Sequence, residues 1–396
     1  MDQVAVRAGA FAPGSQHHVL ALVRSGVAQT RAELARVTGL APSTVSTRVD
    51  ELISGGILEE AGDGRSTGGR RPRVLRIRAD AGTVAAVDLG ANHAVVALLD
   101  LSGGIITQRT FPLDIAAGPD RVLTEAAENV RALVEALPPT QRLLGVAVGV
   151  PGPVRAGTGT VESPSRMPGW NQIDVGALMS SLVGVPVLVD NDSNLMAVGE
   201  FTMRVSDAPN MIMLKAGTGI GCGVIASGRL HHGANGAAGD ISHVRVTGGS
   251  DVICSCGRVG CLDAVASGAA LVRQLHREGH EVADASEIVR RARDADPAVA
   301  RVLRHAGRMT GEVLATTINF FNPNALVIGG QLGLAEPFVA AIRSAIYELC
   351  LPMAVKELTI DVSRAGSAAG VLGGGHLMLD QLFAESDEDG SARIAR

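Results

Sequence analysis

Two stretches far apart in the chain repeat one pattern, and that repetition limits the fold more than any other feature. The first is Val84-Ala85-Ala86-Val87, then Asp88-Leu89-Gly90, then an apolar run from Ala94 to Leu99 that turns at Ser102-Gly103-Gly104 into Ile105 to Phe111. The second is Met211 to Leu214, then Lys215-Ala216-Gly217-Thr218-Gly219-Ile220-Gly221, then Val224-Ile225-Ala226 and the turn Ser227-Gly228-Arg229. Short apolar runs bounded by glycine turns read as a β-meander. Two copies imply an internal duplication about a central cleft. Helices are predicted over 119–137, 262–279, 297–321, 335–350 and 366–383, and further strands over 143–148, 186–189, 325–328 and 358–362, which completes an α/β pattern.

The segment before the first copy has a different character. Residues 1–80 hold 11 arginines, no lysine and 8 acids, a balance of +3, whereas the rest of the chain carries −8 of the total −5. Gln16 to Ser25 brings Val19, Leu20, Leu22 and Val23 into a first helix. Thr30 is placed to cap a second, with Glu33 at the capping-box spacing. Gly39-Leu40 turns the chain, and Pro42 suits the first turn of a third helix. There Val45, Val49, Leu52 and Ile53 share one face. Ser43, Thr44, Ser46, Thr47 and Arg48 lie on the other face and its flanks, where short hydroxyls and one guanidinium suit a helix seated in a major groove. Ile57 to Glu60 and Val74 to Ile77 read as two strands of a wing. Its Gly/Arg-rich tip places Arg65, Arg70 and Arg71 to reach a minor groove or phosphates. Residues 15–78 are thus expected to form a winged helix-turn-helix that binds DNA.

Composition removes other classes. Mean hydropathy is +0.24, yet no uncharged apolar run approaches the roughly 18 to 20 residues of a membrane-spanning helix. Met1 to Ser15 lacks a charged start followed by an apolar stretch, so no secretory signal is read there. Of the five cysteines, Cys254, Cys256 and Cys261 crowd into one loop, a spacing that suggests a metal site in a reducing compartment rather than a disulfide scaffold. A cytoplasmic protein with no membrane partner is expected.

In order along the chain stand Asp88-Leu89-Gly90, Val150-Pro151-Gly152-Pro153, Asp190-Asn191-Asp192-Ser193-Asn194, Gly217-Thr218-Gly219-Ile220-Gly221, Gly239-Asp240-Ile241-Ser242-His243, Cys254-x-Cys256-Gly257-x-x-Gly260-Cys261-Leu262-Asp263 and Ile328-Gly329-Gly330. With these motifs the chain resembles the ROK (repressor, open reading frame, kinase) family, in its regulator branch with an N-terminal winged helix. The resemblance covers about residues 15 to 383. It implies a winged helix-turn-helix followed by a duplicated actin-like (sugar kinase/Hsp70-like) two-lobe ATPase fold. Lobe 1 is expected over 82–193 plus 366–383, lobe 2 with the cysteine loop over 194–365, and a loose polar tail over 384–396.

His243 with Cys254, Cys256 and Cys261 makes a closed set of one imidazole and three thiolates, the donor set of a structural zinc. Cys222 and Cys350 are read as small apolar packing groups. By resemblance, sugar hydroxyls meet Asn191, Asp192, Asp240, His243 and Asp263, with one ring nitrogen of His243 on zinc and the other toward the ligand. Asp240 and Asp263 stand where kinase members usually carry Glu; capping a helix is the other role open to them. Trp170 suits either the rim of the pocket or the anchoring of a loop.

Asp192 matches the family's general base, and Gly217-Thr218-Gly219 the second phosphate turn. The first turn departs from the kinase pattern Asp-x-Gly-Gly-Thr-Lys, reading Asp88-Leu89-Gly90-Ala91-Asn92-His93. Ala91 adds a Cβ where backbone should approach phosphate, Asn92 replaces a hydroxyl and His93 replaces a cation, so nucleotide contact through Asp88, Gly90, Gly217, Thr218 and Gly219 is read as weak or vestigial. The expected function is a sugar-responsive transcriptional regulator, a repressor, working on operator DNA as a homodimer or homotetramer, with a sugar or sugar phosphate as effector. The alternative is an active ATP-dependent sugar kinase, with Asp192 catalytic and ATP and magnesium as cofactors.

Overall fold

The computed structural model describes residues 15–63, 73–139, 141–204, 208–247 and 251–385. Three helices come first: α1 (Gln16–Arg24), α2 (Arg31–Thr38) and α3 (Pro42–Ser54). The Thr30 side chain accepts from the Glu33 amide at 3.2 Å, while Glu33 reaches back to the Gln29 amide rather than to Thr30, a capping box opened by one residue. Gly39 ends α2 in the left-handed region at φ 70°. In α3, Val45, Val49 and Leu52 are buried. Two antiparallel strands follow, β1 (Leu58–Asp63) and β2 (Arg73–Ile77), with Leu58 opposite Ile77. The tip between them, with Arg65, Arg70 and Arg71, lies outside the described residues.

Lobe 1 is a five-stranded sheet of β3 (Thr83–Leu89), β4 (His93–Asp100), β5 (Ile105–Pro112), β6 (Leu143–Val150) and β7 (Val187–Asn191), in the order β5-β4-β3-β6-β7. Helices α4 (Pro119–Glu135) and α5 (Val175–Val183) cover one face. After β7 comes α6 (Asp192–Met203), and then a second sheet of β8 (Met211–Ala216), β9 (Ile220–Ala226), β10 (Arg229–Leu230), β11 (Ala325–Gly329) and β12 (Thr359–Val362). Its order, β10-β9-β8-β11-β12, repeats the first sheet strand for strand, three antiparallel strands and two parallel additions in each. Around it lie α7 (Leu262–Ala266), α8 (Gly268–Arg277), α9 (Ala285–Arg293), α10 (Pro297–Phe321), α11 (Glu336–Leu349) and α12 (Pro352–Val355), and the chain closes with α13 (Ala369–Glu385).

The expected helix over 262–279 is broken: Ser267 accepts from the Ala270 amide at 3.3 Å and starts α8 as a separate helix. Helices α5, α6 and α9 had no counterpart in the sequence reading. Helix α6 runs through the expected lobe boundary at 193–194 and packs against α13 on one side and β8 and β9 on the other.

The N-terminal head does not hang free. Val19, Leu22, Val45, Val49 and Leu75 belong to the same buried apolar cluster as Val84 and Leu99 of the first sheet and Met378, Leu379 and Phe383 of α13. Full burial of each such side chain contributes about 1.5–3 kcal/mol, so the joint between head and lobe 1 is a piece of core. Arg24 adds an ion pair with Asp380 and lies over the Phe383 ring, 5.7 Å from its centroid. Among the described residues, no helix is long and apolar enough to cross a membrane.

Candidate functional site

Between the sheets opens a cleft of about 510 Å³. Strand ends and helix starts supply its side chains. Asp88 stands next to last in β3, the Asn191 side chain caps α6 by accepting from the Ser193 amide at 3.0 Å, and Asp192 opens that helix. An acid in the first turn suits the positive end of the helix dipole. Asn191 also donates to the carbonyls of Gly152 (3.0 Å) and Val150 (3.4 Å), holding the Pro151-Gly152-Pro153 turn against the floor. Asp88, Gly90, Asn191, Asp192, Gly217, Thr218, Gly219, Asp240, His243 and Asp263 all line this one cleft.

The carboxylates differ in state. Asp240 is exposed and accepts from the amide and hydroxyl of Ser242, which fixes its direction and leaves it open to a ligand. Asp263 is buried; it accepts from the Ile220 amide at 2.9 Å and pairs with Arg166 at 2.5 Å. Arg166 also donates to the Thr218 carbonyl at 3.2 Å, so it clamps the second glycine turn. Asp192 accepts from the Ser193 hydroxyl at 3.1 Å and pairs with Lys215. Asp88 is pushed up to about 6 by burial, with Lys215 opposing that shift and Asp192 adding to it.

Neither phosphate turn is laid open. The Gly90 amide donates to the His93 carbonyl at 2.8 Å, and Ala91 stands in the cleft wall. In the second turn the Gly217 amide donates to Gly219 O at 2.9 Å and the Ile220 amide to Asp263. Burial and the charge on Lys215 lower the His93 pKa, so this side chain brings no cation to the first turn near neutral pH.

Beside the cleft, one ligand atom from each of His243, Cys254, Cys256 and Cys261 lies within 4.8 Å of the others, a group that could hold a metal ion. His243 Nδ1 is 3.7 Å from Cys254 Sγ, and the Cys256 and Cys261 sulfurs are 3.7 Å apart. Tetrahedral thiolates at about 2.3 Å from an ion stand about 3.8 Å from one another, so the donors fit zinc in chemistry and in spacing. Nδ1 is the nitrogen turned to the sulfurs.

On the head, Ser43, Thr44 and Thr47 are exposed along α3, while Ser46 and Arg48 are half-buried and Arg48 shares Glu51 at 3.6 Å. Trp170 is fully buried and donates its indole N–H to the Ile115 carbonyl at 3.0 Å: it anchors a loop and does not rim the pocket. Cys350 is buried with its thiol near the Ala315 carbonyl; Cys222 is buried too, though it forms part of the cleft wall.

Three functional groups escaped the sequence reading. Lys215 could have been flagged as the lone charge in the apolar strand Met211–Ala216. Arg166 and the pair formed by His232 and Asp190 at 2.7 Å left no signal in spacing.

The ROK family model matches residues 84–381, and a winged helix-turn-helix DNA-binding model matches residues 16–59. The xylose repressor of Caldicellulosiruptor bescii is 30% identical over 363 residues, 87% of this chain and 90% of that one. A crystal structure of a ROK family transcriptional regulator, a homolog of the Escherichia coli MLC protein, superposes with a TM-score of 0.76 over 93% of this chain and 96% of that one, at 25% identity. A ROK family glucokinase from Streptomyces griseus, solved with glucose and AMPPNP, covers 75% of this chain and 99% of its own, with a TM-score of 0.66 and 25% identity.

Proposed function

The chain belongs to the ROK family, and we propose that it is a sugar-responsive repressor that reads operator DNA with residues 16–77 and its effector with the cleft between the lobes. The observation that carries this reading is the shared core of head and lobe 1. A DNA-reading module fused by packing to a ligand cleft has a use only if the two respond to each other.

The route between them is one helix. Helix α13 begins at the cleft, where a Cβ on Gly370 would overlap the Asp88 carboxylate, and ends at the head, where Asp380 pairs with Arg24. On its flank Gly373 lies against the Leu195 carbonyl of α6, so the two helices cross with backbones in contact. A ligand that holds Asp192 at the start of α6 and Asp240 in lobe 2 favours one lobe closure over another. It shifts the head only by as much as it prefers that closure. In a dimer, such a shift changes the separation of two α3 helices that must fall about one helical turn of DNA apart, or a multiple of it.

Polyol recognition falls to Asn191, Asp192, Asp240, His243 and Asp263: the carboxylates accept from vicinal hydroxyls, the His243 Nε2–H donates to one, and Asn191 holds the turn beside them. His243 Nδ1, Cys254, Cys256 and Cys261 hold a structural zinc, which leaves His243 Nε2 for the ligand. Bound there, zinc would fix the loop that carries Asp240 and Asp263. The free thiols of the cluster and an operator partner support a cytoplasmic location. Phosphate transfer is the weaker reading, because Gly90 and Gly217 amides already serve the protein itself.

Selection of a duplex from a random library, followed by gel shifts with a panel of sugars and sugar phosphates, tests the proposal. A palindromic site released by one of those ligands is expected. Asp240→Ala should keep the site and lose the release. A parent protein that ignores every duplex while turning over ATP with a hexose would replace the regulator by a kinase.

A further inference from the structure

We infer that Lys215 is a resident counter-ion: its ammonium group takes the place of a divalent metal between Asp88 and Asp192 and commits the cleft to holding a ligand rather than transferring phosphate to it. The inference rests on the regulator reading above and names the residue that disarms the cleft.

Lys215 sits next to last in β8, the strand that delivers the second glycine turn, and its side chain enters the cleft floor with the ammonium on Oδ2 of Asp192. Burial works to lower its pKa, but Asp192 and Asp88 outweigh burial and raise it, so the lysine is a fixed positive charge, bonded to Asp192 and within the field of Asp88. Asp88 supplies the second half of the observation. Its Oδ1 is shut off from solvent and has no hydrogen-bond partner among the described residues. Gly370 is packed against the same carboxyl group. A buried carboxylate oxygen without a donor calls for a cation, and Lys215 is the cation whose field acts on it.

A divalent ion would need oxygens from this same pair at about 2.0–2.1 Å and would sit beside an ammonium of like charge. Lysine is a compact point charge on a tether. It offsets one of the pair's two negative charges, yet it cannot supply the second positive charge that a divalent ion brings to a triphosphate held there. His93, kept neutral, does not make good the loss. The magnesium nucleotide of the kinase members therefore does not fit these residues. Asp192 keeps acceptor capacity for a sugar hydroxyl, since the oxygen that accepts from the Ser193 hydroxyl has a second lone pair and is not tied to the lysine.

The rival role for Lys215 is a phosphate grip that replaces the lysine missing from the first turn. Titration of the zinc-saturated full chain with Mn²⁺, alone and with a non-hydrolysable ATP analogue, separates the two when free Mn²⁺ is read by electron paramagnetic resonance. The parent and Lys215→Arg should leave Mn²⁺ free. Lys215→Met should bind it at least about tenfold more tightly, and the gain should vanish in Lys215→Met combined with Asp88→Asn. Lys215→Gln is the second variant should Lys215→Met not fold, as judged by thermal unfolding. Tight Mn²⁺ binding by the parent overturns the inference without any variant. So does a Lys215→Met protein that binds Mn²⁺ no better than the parent, or one that loses a Mn²⁺–nucleotide complex the parent forms. Gel shifts on the parent are scored apart: failure to bind any duplex removes the regulator reading, while the Mn²⁺ titration still decides the lysine.

Discussion

The two lobes share one strand order, yet the turn after the first strand of each has gone a different way. In lobe 1 the turn following β3 is closed by the Gly90 amide on the His93 carbonyl and carries the Ala91 side chain. In lobe 2 the turn following β8 reads Gly217-Thr218-Gly219, closes through the Gly217 amide on Gly219, and is braced in addition from outside by Asp263 and Arg166. Strand order is set by buried apolar faces that every sheet residue helps to hold, whereas a turn is held only by what it binds. A turn can therefore differ between the lobes while the sheets keep one order. The lobes have also divided their duties. Lobe 1 carries the winged helix-turn-helix head, and lobe 2 carries the Cys/His cluster that could hold a metal, with Asp240 and Asp263.

The sharpest way to break that division is at the cluster. Cys256→Ser leaves three donors, and structural zinc sites in small domains contribute on the order of 10 kcal/mol of apparent binding free energy. Loss of the ion by metal analysis is expected, with hydrogen exchange rising through 243–263 and sheet 1 still protected. A metal-free protein of unchanged stability would leave the cluster no structural part, and equal exchange in both sheets would show that the lobes stand or fall together.

The next effect belongs to lobe 1. Asp88, ordinarily near 3.8 and here pushed up to about 6, is charged at neutral pH against its burial. Its folded pKa is raised, so the stability linked to its proton is fully present below about 3.8 and is lost as pH rises through about 6. Asp88→Asn mimics the protonated form at every pH. It should be more stable than the parent by up to about 3 kcal/mol at pH 8, with the difference shrinking between about pH 6 and 4. Urea unfolding at several pH values reads this directly. A difference that does not vary with pH would mean that the carboxyl group is not buried in the way described.

The sheets were legible because their strands are apolar runs punctuated by glycine turns, and the duplication itself could be read from two such runs. The helices that were missed differ in how legible they were. Helix α6 is buried on nearly every side between the lobes, so Leu195, Ala197 and Gly199 show no amphipathic period. Helix α9 is different: Ala285, Ile288 and Val289 are buried on one face with arginines and acids on the other, so its amphipathic stripe was there to be read and was overlooked in a mostly charged segment. The break at Ser267 was visible as Ser-Gly, but its cause lies elsewhere in the chain: the Gly268 amide donates to the Gly217 carbonyl, which ties the start of α8 to the second turn. The same holds in the cleft. Motifs placed Asp192 and Asp263 there, but spacing says nothing of which distant cation each meets, so Lys215 and Arg166 had to be seen in three dimensions.

The head offers a smaller effect that tests whether it reads DNA apart from the cleft. Converting Arg70 and Arg71 to Ala should weaken binding to all duplexes by roughly tenfold at physiological salt and reduce the salt slope by about 2, at about 0.9 per phosphate contact. Sugar release should be retained. Filter binding across a salt series measures both, and an unchanged slope would take the wing out of the interface.

The smallest expected effect on stability falls where the two duties meet. Arg24 is nearly buried but Asp380 is half-exposed, so their ion pair with the Phe383 contact contributes only about 1 kcal/mol. One Arg24 nitrogen, Nη1, is buried without a partner among the described residues and offsets part of that gain. Arg24→Ala should therefore barely move the unfolding midpoint or the affinity for free operator. What it removes is the polar tie between α1 and the end of α13, so the ratio of operator affinities with and without sugar should move toward one. The apolar joint through Val19, Leu22, Leu379 and Leu382 stays in place. If the full ratio survives, that joint alone transmits the shift, and Leu379→Ala becomes the variant that must uncouple head from cleft.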